Sequence, residues 1–196
     1  TTQVINATST GTYVVVVTDA NGCTGSNFIN VTIFTNPTPT ITGTLQFCTG
    51  KTTTLTGDPG YTTYNWSNGS TSSSINVTAG GIYDLTVTDG NGCDGTTNVT
   101  VIENSLPTVT ITGPTDFCDG NTVQIQTAQP ASGYVWSDGS TNAQFTVTQT
   151  GTYTVTVTDN NGCTNNNSYT VTEHLNPVVT ITGTDTVCSG FSGLLD

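Results

Sequence analysis

Polar and apolar residues alternate through Gly151-Thr-Tyr-Thr-Val-Thr-Val-Thr-Asp159, which puts Tyr153, Val155 and Val157 on one face of an extended segment. A period of two over this length predicts a half-buried β-strand. The Asn160-Asn161-Gly162 that follows supplies residues tolerant of positive φ, so the strand should end in a tight reversal, with Cys163 opening the next one. The same pattern occurs at 81–93, built on Tyr83, Leu85 and Val87, and at 11–23, built on Tyr13, Val15 and Val17. The copies start 70 residues apart, and a repeat at a fixed spacing governs every later reading of the chain.

Other anchors keep the same step: Pro37, Pro107 and Pro177; Gly43, Gly113 and Gly183; Cys48, Cys118 and Cys188; Trp66 and Trp136. Residues 1–35 therefore read as the C-terminal half of a repeat, 36–105 and 106–175 as complete repeats, and 176–196 as the start of a further one. That phasing suggests a window on a longer protein. Within 106–175 the alternation predicts strands at 108–112, 122–127, 133–137, 143–148, 151–159 and 168–173, and no stretch has a helical period. Short strands punctuated by turns around one central tryptophan predict an all-β fold of tandem immunoglobulin-like β-sandwich repeats. The expected core centres on Trp66 and Trp136, with Tyr13, Tyr83 and Tyr153. The junctions Glu103-Asn-Ser-Leu-Pro107 and Glu173-His-Leu-Asn-Pro177 are short and contain proline, which restricts hinge motion. They suggest an extended rod growing by roughly 35–40 Å per repeat, extrapolated from the rise of a strand.

Charge removes several functions from consideration. The chain has 13 acidic residues against one base, Lys51, and a formal net charge of −12. Nucleic-acid binding needs Lys and Arg to displace counterions, and anionic membrane surfaces need the same. No apolar run reaches membrane-spanning length. An acidic surface of this kind suits an extracellular setting rich in divalent cations. The expected partners are neighbouring repeats of the same chain and identical chains in a homo-oligomeric fibre.

The pattern Cys-x-Gly … Tyr-x-Trp-Ser-x-Gly … Gly-x-Tyr-x-Val-x-Val-Thr-Asp-x-Asn-Gly-Cys resembles the Ig-like repeats of giant surface adhesins and extracellular filaments of gliding, type IX-secreting bacteria. The resemblance covers the whole chain. It implies export through the outer membrane, attachment at the cell surface, and a structural role in an adhesin shaft or filament. Repeats of this type also serve as spacers in secreted enzymes.

Candidate chemistry is sparse. Cys23, Cys93 and Cys163 form one class by repeat position; Cys48, Cys118 and Cys188 form another. Structural disulfides in an oxidising compartment fit them better than zinc, since no Cys-x-x-Cys occurs and His174 is the single histidine. Two pairings stay open. One joins Cys48–Cys93 and Cys118–Cys163 within repeats, although the two classes would sit at opposite ends of a standard sandwich. The other joins Cys23–Cys48, Cys93–Cys118 and Cys163–Cys188 between adjacent repeats.

Asp19/Asn21, Asp89/Asn91 and Asp159/Asn161 offer oxygens to a calcium ion or, more simply, hydrogen-bond their own hairpin turns. A calcium- or glycan-binding module is thus the alternative to a mechanical role, with Tyr64, Trp66, Tyr134 and Trp136 as a sugar-stacking face if they are not core. Asn65, Asn68, Asn76 and Asn98 fit the N-linked glycan acceptor pattern, and Asp185-Thr-Val187 resembles an O-linked motif of the same bacterial group. No catalytic constellation is visible, so no enzyme activity is expected. Val14 and Val16 stand where the other copies have Asp84/Thr86 and Thr154/Thr156, which puts apolar residues on both faces of that strand.

Overall fold

The computed structural model describes residues 3–183, 186–190 and 192–193. Asp185, and with it the O-linked motif, lies outside them. The chain divides into two compact units, Thr1–Glu103 and Asn104–Asp196.

In the first unit, β1 (Gly11–Thr18) and β2 (Thr24–Val31) form a two-stranded antiparallel sheet, with Tyr13 opposite Ile29 and Val14 opposite Phe28. Seven further strands follow: β3 (Ile41–Gly43), β4 (Gln46–Cys48), β5 (Thr53–Gly57), β6 (Thr63–Trp66), β7 (Ser74–Val77), β8 (Gly81–Thr88) and β9 (Asp94–Asn104). They make a three-stranded sheet, β3-β5-β7, and a four-stranded sheet, β4-β9-β8-β6. Leu55, Ile75 and Val77 from the first sheet meet Phe47, Trp66, Leu85, Val87 and Val101 from the second in one buried cluster. The alternation read from sequence is what fills this core, because successive side chains on a strand point to opposite faces.

The second unit repeats the plan. Its strands are β10 (Ile111–Thr112), β11 (Asp116–Cys118), β12 (Val123–Thr127), β13 (Gly133–Trp136), β14 (Gln144–Val147), β15 (Gly151–Thr158) and β16 (Thr164–His174). The sheets run β10-β12-β14 and β11-β16-β15-β13. Val109, Ile111, Phe117, Ile125, Trp136, Val147, Val155, Val157 and Val171 are buried between them. Phe145 packs on Trp136 and on Tyr153, each with ring centroids 5.0 Å apart. Two antiparallel-dominated sheets facing each other across the tryptophan that ends β6 or β13 are the immunoglobulin arrangement, and the fold is all-β.

One strand was not expected from the pattern. Asp116–Cys118 pairs in parallel with the end of the last strand: Asp116 lies opposite Thr172, Phe117 opposite Glu173 and Cys118 opposite His174. The first edge of the sandwich thus switches sheets after Gly113, whose φ of 151° lets the chain turn against β12. A β-carbon there would come within 2.8 Å of the Gln124 carbonyl oxygen. Three residues with a single inward side chain carry no readable period, which is why the switch is invisible in sequence.

The last strand also begins earlier than its alternation suggests, at Thr164. Its first residues are held by side chains to the incoming edge: Asn165 donates from Nδ2 to the Pro107 carbonyl and Asn167 to that of Val109, both at 2.9 Å. In the first unit the place of Asn165 is taken by Gly95, where the Pro37 backbone comes so close that a β-carbon would overlap its carbonyl oxygen.

Candidate functional site

Three kinds of local device recur along the chain, and together they account for most of the side chains singled out by sequence.

The hairpin that ends each long strand is the first. In all three copies the aspartate Oδ1 accepts two backbone N–H groups. Asn21 and Cys23 donate to Asp19 at 2.9 and 2.9 Å, Asn91 and Cys93 to Asp89 at 2.8 and 2.9 Å, and Asn161 and Cys163 to Asp159 at 2.9 and 2.8 Å. The aspartate N–H donates in turn to the cysteine carbonyl at 2.9 Å each time. Gly22, Gly92 and Gly162 take φ of 85°, 82° and 79°, the left-handed region the turn needs. These oxygens are therefore occupied by the amides of their own loop. No group of three or more His, Cys, Asp or Glu side chains placed to hold a metal ion occurs among the described residues.

The Cys93 and Asn91 amides hold the Asp89 carboxyl below the usual carboxylate range, the Cys93 contribution being the larger. The Thr40 hydroxyl does the same for Asp58, and the Thr115 hydroxyl followed by His174 for Asp116, whose Oδ1 lies 2.8 Å from His174 Nε2. The Ser140 amide lowers Asp138. A carboxyl whose folded pKa is depressed contributes stability that is complete above its unfolded value and is lost as pH falls through the folded one. The melting temperature is therefore expected to fall below about pH 4, near the unfolded carboxylate value. Asp89→Asn, which keeps an acceptor oxygen and does not titrate, should flatten part of that fall. A melting temperature that stays level from neutral pH to well below the carboxylate range would contradict this account.

The second device was missed by sequence, where Tyr13, Tyr83 and Tyr153 read simply as core. Each ring is partly buried and each hydroxyl donates to the carbonyl four residues back: Tyr13 to Ser9 at 2.9 Å, Tyr83 to Ala79 at 2.9 Å, Tyr153 to Gln149 at 2.7 Å. This latches the corner where the chain enters the long strand, the role of the tyrosine corner in immunoglobulin sandwiches. Their recurrence just after a glycine, as Gly-x-Tyr, was the available signal.

The aromatic pairs are the third. Trp66 and Trp136 are each 2% exposed, and their Nε1–H groups donate to the carbonyls of Ser72 and Asn142 at 2.8 Å. Tyr64 and Tyr134 turn their hydroxyls to the carbonyls of Asp58 and Gln129. These side chains form core and loop contacts, so no sugar-stacking face is presented by the tryptophans.

The cysteines depart from both pairings considered above. Cys48 and Cys163 are each disulfide-bonded, whereas Cys23, Cys93, Cys118 and Cys188 are free thiols. The within-repeat scheme fails on distance. Cys118 lies level with His174, while Cys163 precedes Thr164 at the other end of the same strand. Ten residues of strand separate those levels by about 33 Å, against the 7 Å or so that a disulfide spans between α-carbons. The scheme of adjacent cysteines fails because the partners it assigns to Cys48 and Cys163 are free.

On β1 and β2, Val14 and Val16 are 62% and 63% exposed, with Phe28 across the ladder from Val14 at 65%. No helix among the described residues is long and apolar enough to cross a membrane.

No protein-family model and no curated protein matches the chain. It is similar to the solved structure of murine CEACAM1b, with 11% identity and a TM-score of 0.35 over 69% of this chain and 100% of that one. It is also similar to the Ca2+-stabilised adhesin with which an Antarctic bacterium reaches out and binds ice, at 18% identity and a TM-score of 0.44, covering 88% of this chain and 58% of that one. A structure addressing Dscam isoform specificity aligns at 10% identity and a TM-score of 0.27, over 78% and 51%. The chain thus spans between half and three-fifths of the length of the last two.

Proposed function

We propose that this chain is a structural segment of a long extracellular adhesin shaft or filament, exported through the type IX route and held at the cell surface. One observation carries the reading. The same hairpin, tyrosine latch and buried tryptophan recur at 70-residue intervals, and the side chains that chemistry would need are spent on their own backbone. Asp19, Asp89 and Asp159 cap turns, and the tyrosine hydroxyls bind carbonyls. Such a design multiplies reach with copy number and needs no substrate pocket. The strongly acidic, nearly base-free surface keeps copies from collapsing on one another and on anionic cell envelopes. On this reading the segment carries load between an anchored end and a binding end, and turns over no substrate.

The test is surface labelling. Antibodies raised against the folded chain should bind intact, unpermeabilised cells and should decorate surface fibres. Labelling that appears only after permeabilisation would overturn the proposal.

A further inference from the structure

The outer face of the sheet β10-β12-β14 carries an uncharged cluster of amides that the sandwich does not require. Gln124 and Gln126 on β12 lie opposite Thr146 and Gln144 on β14. Ile125 and Val147 beside them are buried in the core, so these four side chains point outward, and all four are exposed. Gln124, Asn142, Ala143, Gln144 and Thr146 line an open groove of about 470 Å³. One wall is pinned to the core. The Asn142 carbonyl accepts the Trp136 Nε1–H at 2.8 Å, and the Ala143 carbonyl accepts the Thr127 N–H at 3.1 Å. A wall held in place before a ligand arrives loses less freedom on binding.

Most of the hydrogen-bonding capacity here is unspent. Gln144 donates from Nε2 to Gln126 Oε1 at 3.1 Å. The side-chain amides of Gln124 and Asn142 have no hydrogen-bond partner among the described residues. The first unit offers a comparison in the same frame. Seventy residues earlier it has Thr54, Thr56, Ser72 and Ser74, with Asn76 in place of Thr146. There Thr54 Oγ1 donates to Asn76 Oδ1 at 2.8 Å, so that cross-strand pair is satisfied within its own sheet. Both units form the sandwich, which leaves the three glutamines without a structural task.

We propose that this groove binds a neutral polysaccharide chain. A side-chain amide carries donors and an acceptor together, and a sugar hydroxyl is both donor and acceptor, so each amide can engage adjacent hydroxyls. No lining side chain is charged, and the net charge of −12 on the chain repels anionic glycans. An extended peptide would also meet the amides, but its specificity comes from pockets for alternate side chains. Ala143 and Thr146 supply the only methyl groups among the lining side chains, which gives such a peptide little to fill. No aromatic ring lines the groove, so binding rests on exposed hydrogen bonds and is readily reversible. The inference goes beyond the shaft reading: cell labelling tests where the chain resides and polysaccharide binding tests the groove, so the two fail separately.

The experiment is native electrophoresis of the whole chain through gels containing dextran, hydroxyethylcellulose or galactomannan. Alginate serves as the anionic control and gelatin as the peptide control. At least one of the neutral polysaccharides should retard the chain, and neither control should. Gln124→Thr/Gln126→Thr/Gln144→Ser installs the residues that the first unit carries at those places, so the melting temperature should not change. Retardation should weaken about tenfold, as the loss of a few neutral hydrogen bonds implies. Asn142→Ala, outside the strands, should weaken it as well and leaves β12 and β14 untouched. Free mobility in all three neutral gels, or variants retarded like the unsubstituted chain, would overturn the proposal. Retardation by alginate or by gelatin would also overturn it, the latter by assigning the groove to extended peptides.

Discussion

Under oxidising conditions the chain should resist denaturant to a higher midpoint than it does after reduction. Cys48 and Cys163 are each disulfide-bonded, and a disulfide typically contributes about 2–4 kcal/mol, chiefly by restricting the unfolded chain. Cys48→Ser and Cys163→Ser should each lose that contribution without reductant, while Cys93→Ser and Cys118→Ser, which remove free thiols, should leave the oxidised midpoint unchanged. Equal midpoints with and without reductant would remove the structural role of the bonded cysteines.

Most of the sandwich could be read from period two alone. Tyr153, Val155, Val157, Ile125 and Val147 announce their faces by alternation, and the structure buries them or packs them at the core edge. The strand Asp116–Cys118 could not be read, because its evidence is a parallel pairing with residues more than fifty positions away. The tyrosine latch lay half in view: the ring belongs to the apolar pattern, whereas its hydrogen bond depends on the corner that precedes it. The cysteine pairing is the clearest limit. In a strictly periodic sequence, offsets of 25 and 45 residues both join one class to the other, so periodicity cannot choose between them. What rules out the within-repeat offset is where the two classes sit on one sandwich, at opposite ends of its last strand. The hairpin aspartates show the reverse case. Asx capping is what the sequence led one to expect of them, and two backbone amides on each Oδ1 make that cap.

Trp136→Ala should unfold the sandwich formed by β10–β16, whereas Val135→Ala, one residue away, should leave it intact. Both side chains are large and apolar, and a hydropathy plot does not separate them. Trp136 is 2% exposed and Val135 is 51% exposed, because neighbours on a strand face opposite ways. Removing a buried tryptophan costs about 3–5 kcal/mol. A domain of this size holds about 3–10 kcal/mol in total, at 0.05–0.15 kcal/mol per residue. The substitution therefore consumes most or all of the stability of its unit, while an exposed valine is worth about 0.5 kcal/mol or less. The two-tryptophan composition makes the readout clean. In Trp136→Ala the indole of Trp66 is the only one left, and its buried-site emission should persist while far-UV circular dichroism falls and chymotrypsin cuts within 111–174 ahead of 41–104. If Trp136→Ala melted and resisted protease like the unsubstituted chain, the tryptophan would not be the keystone of its sandwich. If Trp66 emission were lost along with the second unit, the units would fold as one cooperative block, and a shaft that yields one bead at a time would have to be given up.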